Sequence, residues 1–101
     1  MAFDIYLEEE VVYIDHHEET LFELVYEDEK YPHLNWIWEM FYNGPVISYE
    51  KANELVHELI QLRNQIENNR EHKYLIAAID RIMPLLSKAY KTKKQLKCMS
   101  D

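Results

Sequence analysis

The stretch FDIYLEEEVVYIDHHEETLFELVY, residues 3–26, decides the predicted fold. Apolar residues alternate with polar ones over residues 3–7, which is the period-two pattern of a strand with one buried face. Residues 11–14 are β-branched and aromatic, as strands prefer, and residues 20–26 form a third candidate strand. The segments between them are short and polar, and short connections favour antiparallel neighbours. The stretch therefore predicts a three-stranded meander over residues 1–30.

Helical patterns replace the strand patterns after this meander. Apolar and aromatic residues recur at helical spacing over residues 33–42, and the Asn-Gly-Pro segment that follows is typical of a helix end. Ser48 is the predicted N-cap of a second helix, which runs from residue 49 to about residue 68. A third helix is predicted from about residue 71, and Pro84 is expected to bend or split it.

These elements predict an α+β fold for the whole chain, residues 1–101. A small N-terminal antiparallel sheet of about three strands packs against three C-terminal helices, which occupy residues 31–92. Residues 93–101 form a basic tail that is expected to fray. The length and the 48% hydrophobic content suit one domain with one core.

The charge is distributed very unevenly along the chain. Residues 1–50 contain 13 Asp or Glu and a single Lys, Lys30, so their balance is −12. Residues 51–101 contain 6 Asp or Glu and 10 Lys or Arg, so their balance is +4. An acidic half repels nucleic-acid phosphates and attracts a basic protein, although an excess of acid also serves ordinary solubility. The charge layout thus predicts a basic protein partner and no direct contact with nucleic acid.

The cellular location is predicted from what the chain lacks. Cys98 is the only cysteine, which excludes an intrachain disulfide and fits a reducing compartment. The N-terminus MAFDIYLEEE has no basic start and no apolar core, so it does not resemble a signal peptide. No apolar run approaches the roughly 20 residues that cross a bilayer. We therefore expect a soluble cytoplasmic protein without membrane contact.

Candidate catalytic and metal-binding residues are few. His16 and His17 precede two glutamates, but adjacent residues of a strand point to opposite faces, and metal ligands are usually two to four residues apart. His57 lies in HELIQ, which lacks the second histidine of the HExxH zinc motif. Cys98 lies among lysines, whose positive charge can lower the pKa of a thiol. No residue is identifiable, however, as the base that would take the proton of this thiol. We expect no enzyme activity, no metal and no cofactor.

Two further features sit on predicted helices. Glu50, Glu54 and Glu58 recur every four residues and so share one helix face, which is either a solvated surface or an extension of the acidic one. Trp36 belongs to a dense aromatic helix and is equally suited to the core and to a protein interface, where Trp is a frequent hot spot.

The segment YPHLNWIWEMFYNGPVISYEKANELVHELIQL, residues 31–62, carries a family resemblance. Its aromatic helix, FYxxP break, Ser-capped start and LVHEL-type helix resemble small immunity proteins of bacterial polymorphic-toxin and contact-dependent inhibition systems. The resemblance covers about a third of the chain. It implies a cytoplasmic, acidic protein that neutralises one cognate toxin by covering its active site or a nearby surface. Many such toxins are nucleases or tRNases with basic grooves.

The sequence therefore favours an immunity protein that inhibits a basic toxin, as a monomer in a one-to-one complex. The expected binding residues are an acidic edge and one tryptophan: Glu8, Glu9, Glu10, Glu18, Glu19, Glu23, Glu27, Asp28, Glu29 and Trp36. Two alternatives remain open. One is a phage-type nucleic-acid mimic that inhibits a host or defence protein, and the other is a small adaptor that forms a homodimer or larger homo-oligomer.

Overall fold

The structure is a computed structural model that describes residues 3–100. It contains a four-stranded antiparallel sheet in the order β2-β1-β4-β3, with helices packed against it. The strands are β1 (Phe3–Leu7), β2 (Glu10–Ile14), β3 (Val46–Ile47) and β4 (Leu96–Ser100). The helices are α1 (Thr20–Glu23), α2 (Pro32–Glu39), α3 (Tyr49–Ile66) and α4 (Leu75–Thr92). The α+β class is confirmed, as are the first two strands.

The predicted third strand, residues 20–26, is wrong. A 3-10 turn, His16–Glu19, leads directly into the short helix α1. The buried residues here are Leu21, Phe22 and Val25, whereas Leu24 is 37% exposed and Tyr26 is 58% exposed. Burial at i, i+1 and i+4 is a helical pattern, which the alternation of polar and apolar residues concealed.

The three longer helices agree with the predicted ones in order and approximate bounds. Ser48 caps α3 as expected, because its Oγ accepts a hydrogen bond of 3.2 Å from the Lys51 N–H. Pro84 does not split α4, which continues from Leu75 to Thr92. Burial of one apolar face along the length of α4 offsets the cost of this proline.

The basic tail is also corrected, since most of it forms an inner strand of the sheet. Lys93 adopts a left-handed conformation with φ of 56° and ends α4, after which β4 inserts between β1 and β3. Leu96 and Cys98 are buried at 0% and 3% exposure, while Lys97 and Met99 point outward. The alternation of apolar and polar residues in β4 covers only residues 96–99 and includes no β-branched residue. It was therefore a weaker signal than the neighbouring lysines, which are typical of a solvated tail.

All the longer helices cover one face of the sheet. The inner face is buried through residues from each strand, including Phe3, Ile5, Ile14 and Ile47. The outer face carries exposed apolar side chains: Val11 at 49%, Tyr13 at 37%, Val46 at 47% and Met99 at 62%. Within residues 3–100, no helix is long and apolar enough to span a membrane.

Candidate protein-binding surface

Two of the three glutamates in the β1–β2 hairpin are paired with lysines, one within α4 and one just after it. Glu8 lies 2.8 Å from the Lys94 ammonium, and Glu10 is bonded to Lys88. The hydrogen bond and positive charge of Lys94 lower the pKa of the Glu8 carboxyl. Glu9 has no described basic side chain within salt-bridge distance. The fold therefore returns the basic half of the chain to the acidic hairpin, and the predicted acidic edge is mixed in charge here.

A shallow cleft of about 410 Å³ next to the hairpin has the same mixed character. Its lining consists of Tyr6, Glu8, Lys94, Gln95 and Lys97. One carboxylate and two ammonium groups do not form an acidic surface, and they bring together no nucleophile with a base. The lining of the cleft therefore has a mixed charge and not an acidic one.

Glu18 and Glu19 are structural residues rather than binding residues, because they are only 3% and 8% exposed. Glu18 forms two hydrogen bonds with the Arg81 guanidinium, at 2.7 and 3.1 Å, and accepts the Asp15 N–H at 2.9 Å. Burial alone would raise the pKa of the Glu18 carboxyl, but these hydrogen bonds and the Arg81 charge outweigh burial and lower the pKa. Glu18 thereby fixes the 3-10 turn to α4.

The histidine pair lies on the surface of this turn. His16 Nδ1 is 2.9 Å from a Glu19 carboxylate oxygen, and the His17 ring stacks on Tyr74 with a centroid distance of 6.1 Å. Within the described part of the chain, no group of three or more His, Cys, Asp or Glu residues is placed to hold a metal ion. The contacts that the structure shows for the pair are therefore those of His16 with Glu19 and of His17 with Tyr74.

Four of the predicted binding residues lie in residues 23–29, which run from the last residue of α1 towards the start of α2 and which we call the acidic loop. Glu23, Glu27 and Glu29 are exposed, Asp28 is half-buried, and none of the described salt bridges involves their carboxylates. Lys30 alone adds a positive charge at its end. Four of the predicted binding residues therefore stay together with their charge unneutralised.

Asn35 holds the acidic loop in one conformation. Its side-chain oxygen accepts the Glu27 N–H at 3.0 Å, and its amide nitrogen donates to the carbonyl oxygens of Val25, Asp28 and Tyr31. These bonds support Glu27 in the left-handed region, with φ of 62°. In the sequence, Asn35 lies four residues after Tyr31, a spacing that allows its side chain to bond the Tyr31 carbonyl at the start of α2. Little else in the sequence indicates that Asn35 holds the loop.

Trp36 is half-buried against the core, and its indole face is occupied. The Lys51 ammonium lies 3.5 Å from the ring centroid, which is a cation–π contact. The exposed aromatic residues near this region are instead Tyr26 at 58% and Tyr42 at 72% exposure. Trp36 is thus separated from solvent on one face, and Tyr26 is the aromatic side chain that the acidic loop displays.

Glu58 does not belong to a surface ridge with Glu50 and Glu54. It is 6% exposed, and its carboxylate accepts the backbone N–H groups of His33 and Leu34 at 2.9–3.1 Å. His33 Nδ1 also lies 2.5 Å from the same carboxylate. The carboxylate of α3 therefore caps the N-terminus of α2, where the first N–H groups lack partners and the helix dipole favours a negative charge.

No family model, curated protein or solved structure matches this chain.

Proposed function

We propose that this protein is a cytoplasmic inhibitor of the immunity type, which binds one basic toxin through the acidic loop and so neutralises it. The observation that carries the proposal is the concentration of unneutralised carboxylates in residues 23–29, while Glu8 and Glu10 of the hairpin are paired with lysines. A basic groove that normally accepts nucleic-acid phosphates suits such a surface. The proposal assigns the protein no catalytic step and no cofactor.

The conformation of the acidic loop supports this function. Because Asn35 makes three hydrogen bonds to the backbone of the acidic loop, the carboxylates of the loop are presented in a set arrangement, and binding loses little additional backbone freedom. Unpaired surface charges also attract an oppositely charged partner before contact. Tyr26, exposed beside Glu27, supplies an aromatic side chain of the type enriched at interface hot spots.

The surface assigned here is narrower than the acidic edge predicted from the sequence. Glu23, Glu27, Asp28 and Glu29 remain in it, whereas Glu18 and Glu19 are excluded by burial. Glu8 and Glu10 contribute little net charge because each has a lysine partner. Glu9 and Trp36 lie outside the acidic loop.

Single charge reversals test the proposal against the toxin encoded by the neighbouring gene. Glu29→Lys is compared with Glu54→Lys, which makes the same charge change at an exposed, unpaired position of α3. We expect Glu29→Lys to weaken binding by roughly tenfold, equivalent to about 1.4 kcal/mol, and Glu54→Lys to change it by less than about threefold.

Salt dependence gives a second criterion in the same titrations. Affinity of the wild-type protein should fall as ionic strength rises, and Glu29→Lys should reduce that dependence. Absence of binding to the neighbouring toxin, or equal effects of the two charge reversals, would refute the proposal.

A further inference from the structure

The outer face of the sheet, which the helices leave uncovered, is the starting point of a second proposal, which does not depend on the acidic loop. Where one face of an antiparallel sheet is solvated, its side chains are commonly polar. Of the outward side chains that the strands carry in the described part of the chain, most are instead apolar or aromatic. They are Asp4, Tyr6, Val11, Tyr13, Val46, Lys97 and Met99. A contiguous apolar patch of this kind is typical of a protein interface.

The register of the strands places these side chains in two rows across the sheet. One row consists of Tyr13, Asp4 and Met99, and the other of Val11, Tyr6, Lys97 and Val46. The rows are about 6.8 Å apart, two residues along a strand, and neighbouring strands are about 4.8 Å apart. The apolar stripe, which we define as Val11, Tyr6 and Met99, therefore crosses both rows diagonally. Asp4 lies on one side of the apolar stripe and Lys97 on the other.

The two charged side chains beside the apolar stripe lack partners within residues 3–100. Asp4 is half-buried, and its Oδ1 atom is shielded from solvent and accepts no hydrogen bond. Lys97 is exposed and takes part in none of the described salt bridges. A shielded carboxylate oxygen without a donor costs free energy, which an ammonium group brought against the carboxylate would recover. The outer face therefore carries one unneutralised charge of each sign.

We propose that a second copy of this chain covers the outer face, sheet against sheet, about a two-fold axis that runs along the apolar stripe. A two-fold rotation about this axis exchanges the two sides of the stripe. Asp4 of each copy therefore meets Lys97 of the other, and this contact forms twice. The three residues of the apolar stripe lie near the axis, where each meets its own counterpart. Because the charges of Asp4 and Lys97 cancel, the face adds no repulsion to that of the net charge of −8.

The shallow cleft beside this face provides a second complementarity, in shape. Its lining includes Tyr6 and Lys97 of the outer face and continues onto Glu8, Lys94 and Gln95. With the strand and residue spacings given above, the same rotation places Tyr13 of the second copy within about 2 Å of the centre of this cleft, in projection. Tyr13 is 37% exposed even though the Arg81 guanidinium lies 4.6 Å from its ring centroid. The strands of the two copies then cross at roughly 70°, near the orthogonal class of sheet packing.

The test measures mass by sedimentation over a concentration series, for the wild type and for charge variants. We expect the wild type to dimerise with a dissociation constant on the order of micromolar, as suits a small interface. Asp4→Lys and Lys97→Glu each bring like charges together twice in the dimer, and each should raise this constant roughly tenfold or more. The double variant restores opposite charges and should return the constant to within about threefold of the wild type. Glu54→Lys, at an exposed position of α3, is the matched control and should change it by less than about threefold.

Met99→Glu tests the position of the axis without altering Asp4 or Lys97. Met99 is 62% exposed, so this substitution leaves the core intact, and circular dichroism checks that each variant is folded. Because residue 99 meets its own counterpart near the axis, two carboxylates would face each other, and the dissociation constant should again rise roughly tenfold or more. A monomer at every concentration would overturn the proposal. So would a dimer that Met99→Glu leaves unchanged, or one that the double variant does not restore after the single reversals weaken it.

Discussion

The buried carboxylate of Glu58 offers the sharpest test of how α2 is held on the domain. Replacing it by alanine leaves the His33 and Leu34 N–H groups without their acceptor at a buried helix start. Each buried group left unpaired costs about 1–3 kcal/mol, and loss of a helix cap typically costs about 1 kcal/mol. Because these costs overlap, we expect Glu58→Ala to lower the free energy of unfolding by about 2–4 kcal/mol.

The matched control for this substitution is Glu54→Ala, one turn earlier on α3. Glu54 is exposed and makes no hydrogen bond or salt bridge among the described residues, so its loss should change stability by less than about 0.5 kcal/mol. Glu58→Gln retains an acceptor but not the charge, and it should fall between the two. His33→Ala removes the ring contact while keeping both backbone bonds, and it should cost less than Glu58→Ala.

Urea unfolding followed by tryptophan fluorescence measures these differences, since Trp36 and Trp38 lie on α2 itself. For a domain of this size, the expected loss for Glu58→Ala corresponds to a fall in Tm of roughly 10–25 °C. Equal stabilities of Glu58→Ala and Glu54→Ala would refute the cap. A cost for His33→Ala as large as that for Glu58→Ala would show that the ring contact, and not the cap, matters.

Three other predictions concern the turn at Glu18, the thiol of Cys98 and strand β4. The folded-state pKa of Glu18 lies below its ordinary value of 4.5, so the unfolded chain binds its proton first and the stabilisation is lost as pH falls below about 4.5. The stability difference between wild type and Glu18→Gln should be about 1.5–3 kcal/mol at pH 7 and should shrink at pH 3 in urea titrations; a constant difference would contradict this. Burial raises the pKa of Cys98 from 9.0 to about 12, so native protein at pH 8 should react with iodoacetamide about 100- to 1000-fold more slowly than unfolded protein, and equal rates would place the thiol in solvent. Truncation after Gln95 removes β4 from the sheet interior and should abolish cooperative thermal unfolding by circular dichroism, whereas a retained transition would mean that the segment is dispensable.

Local patterns determined the parts of the fold that the sequence predicted well. β1 has an alternating pattern, and β2, which follows it after a short turn, is rich in β-branched residues. α3 has both an apolar stripe and the Ser48 cap. Such signals depend only on residues close together in the sequence, so they can be recognised without knowledge of the tertiary contacts.

The errors arose where a distant contact decides the local structure. Residues 20–26 fit a strand and a helix almost equally well, and the helix forms where Glu18, bonded to Arg81 far along the chain, fixes the preceding turn. The final strand is stabilised by β1 and β3 on either side, and nothing within the Lys-rich tail itself indicates those partners. Tertiary context overrode the local composition in both cases.

The sequence predicted one acidic edge spread over residues 8–29, and residue types alone could not show which of its carboxylates are buried, paired or free. Carboxylates at Glu10, Glu18, Glu29 and Glu58 look alike in a sequence, yet one binds a surface lysine, two are buried and one is unpaired. Which role each residue has depends on the fold, because Lys88, Arg81 and the start of α2 all come from other segments. The charge asymmetry indicated an excess of acid, and among the acidic residues predicted to bind, three-dimensional pairing and burial leave Glu9 and the four carboxylates of residues 23–29 unneutralised.

The most direct test of the proposed function is an NMR titration of isotopically labelled protein with the partner that it implies, a toxin encoded by an adjacent gene. The claim is that the acidic loop, fixed by Asn35, carries binding. It predicts that the amide signals of residues 23–30 and the Asn35 side-chain amide shift or broaden first, and that added salt reverses the change. Changes centred on the Glu8–Glu10 hairpin or the β2 edge, with the signals of residues 23–30 unaltered, would contradict the account.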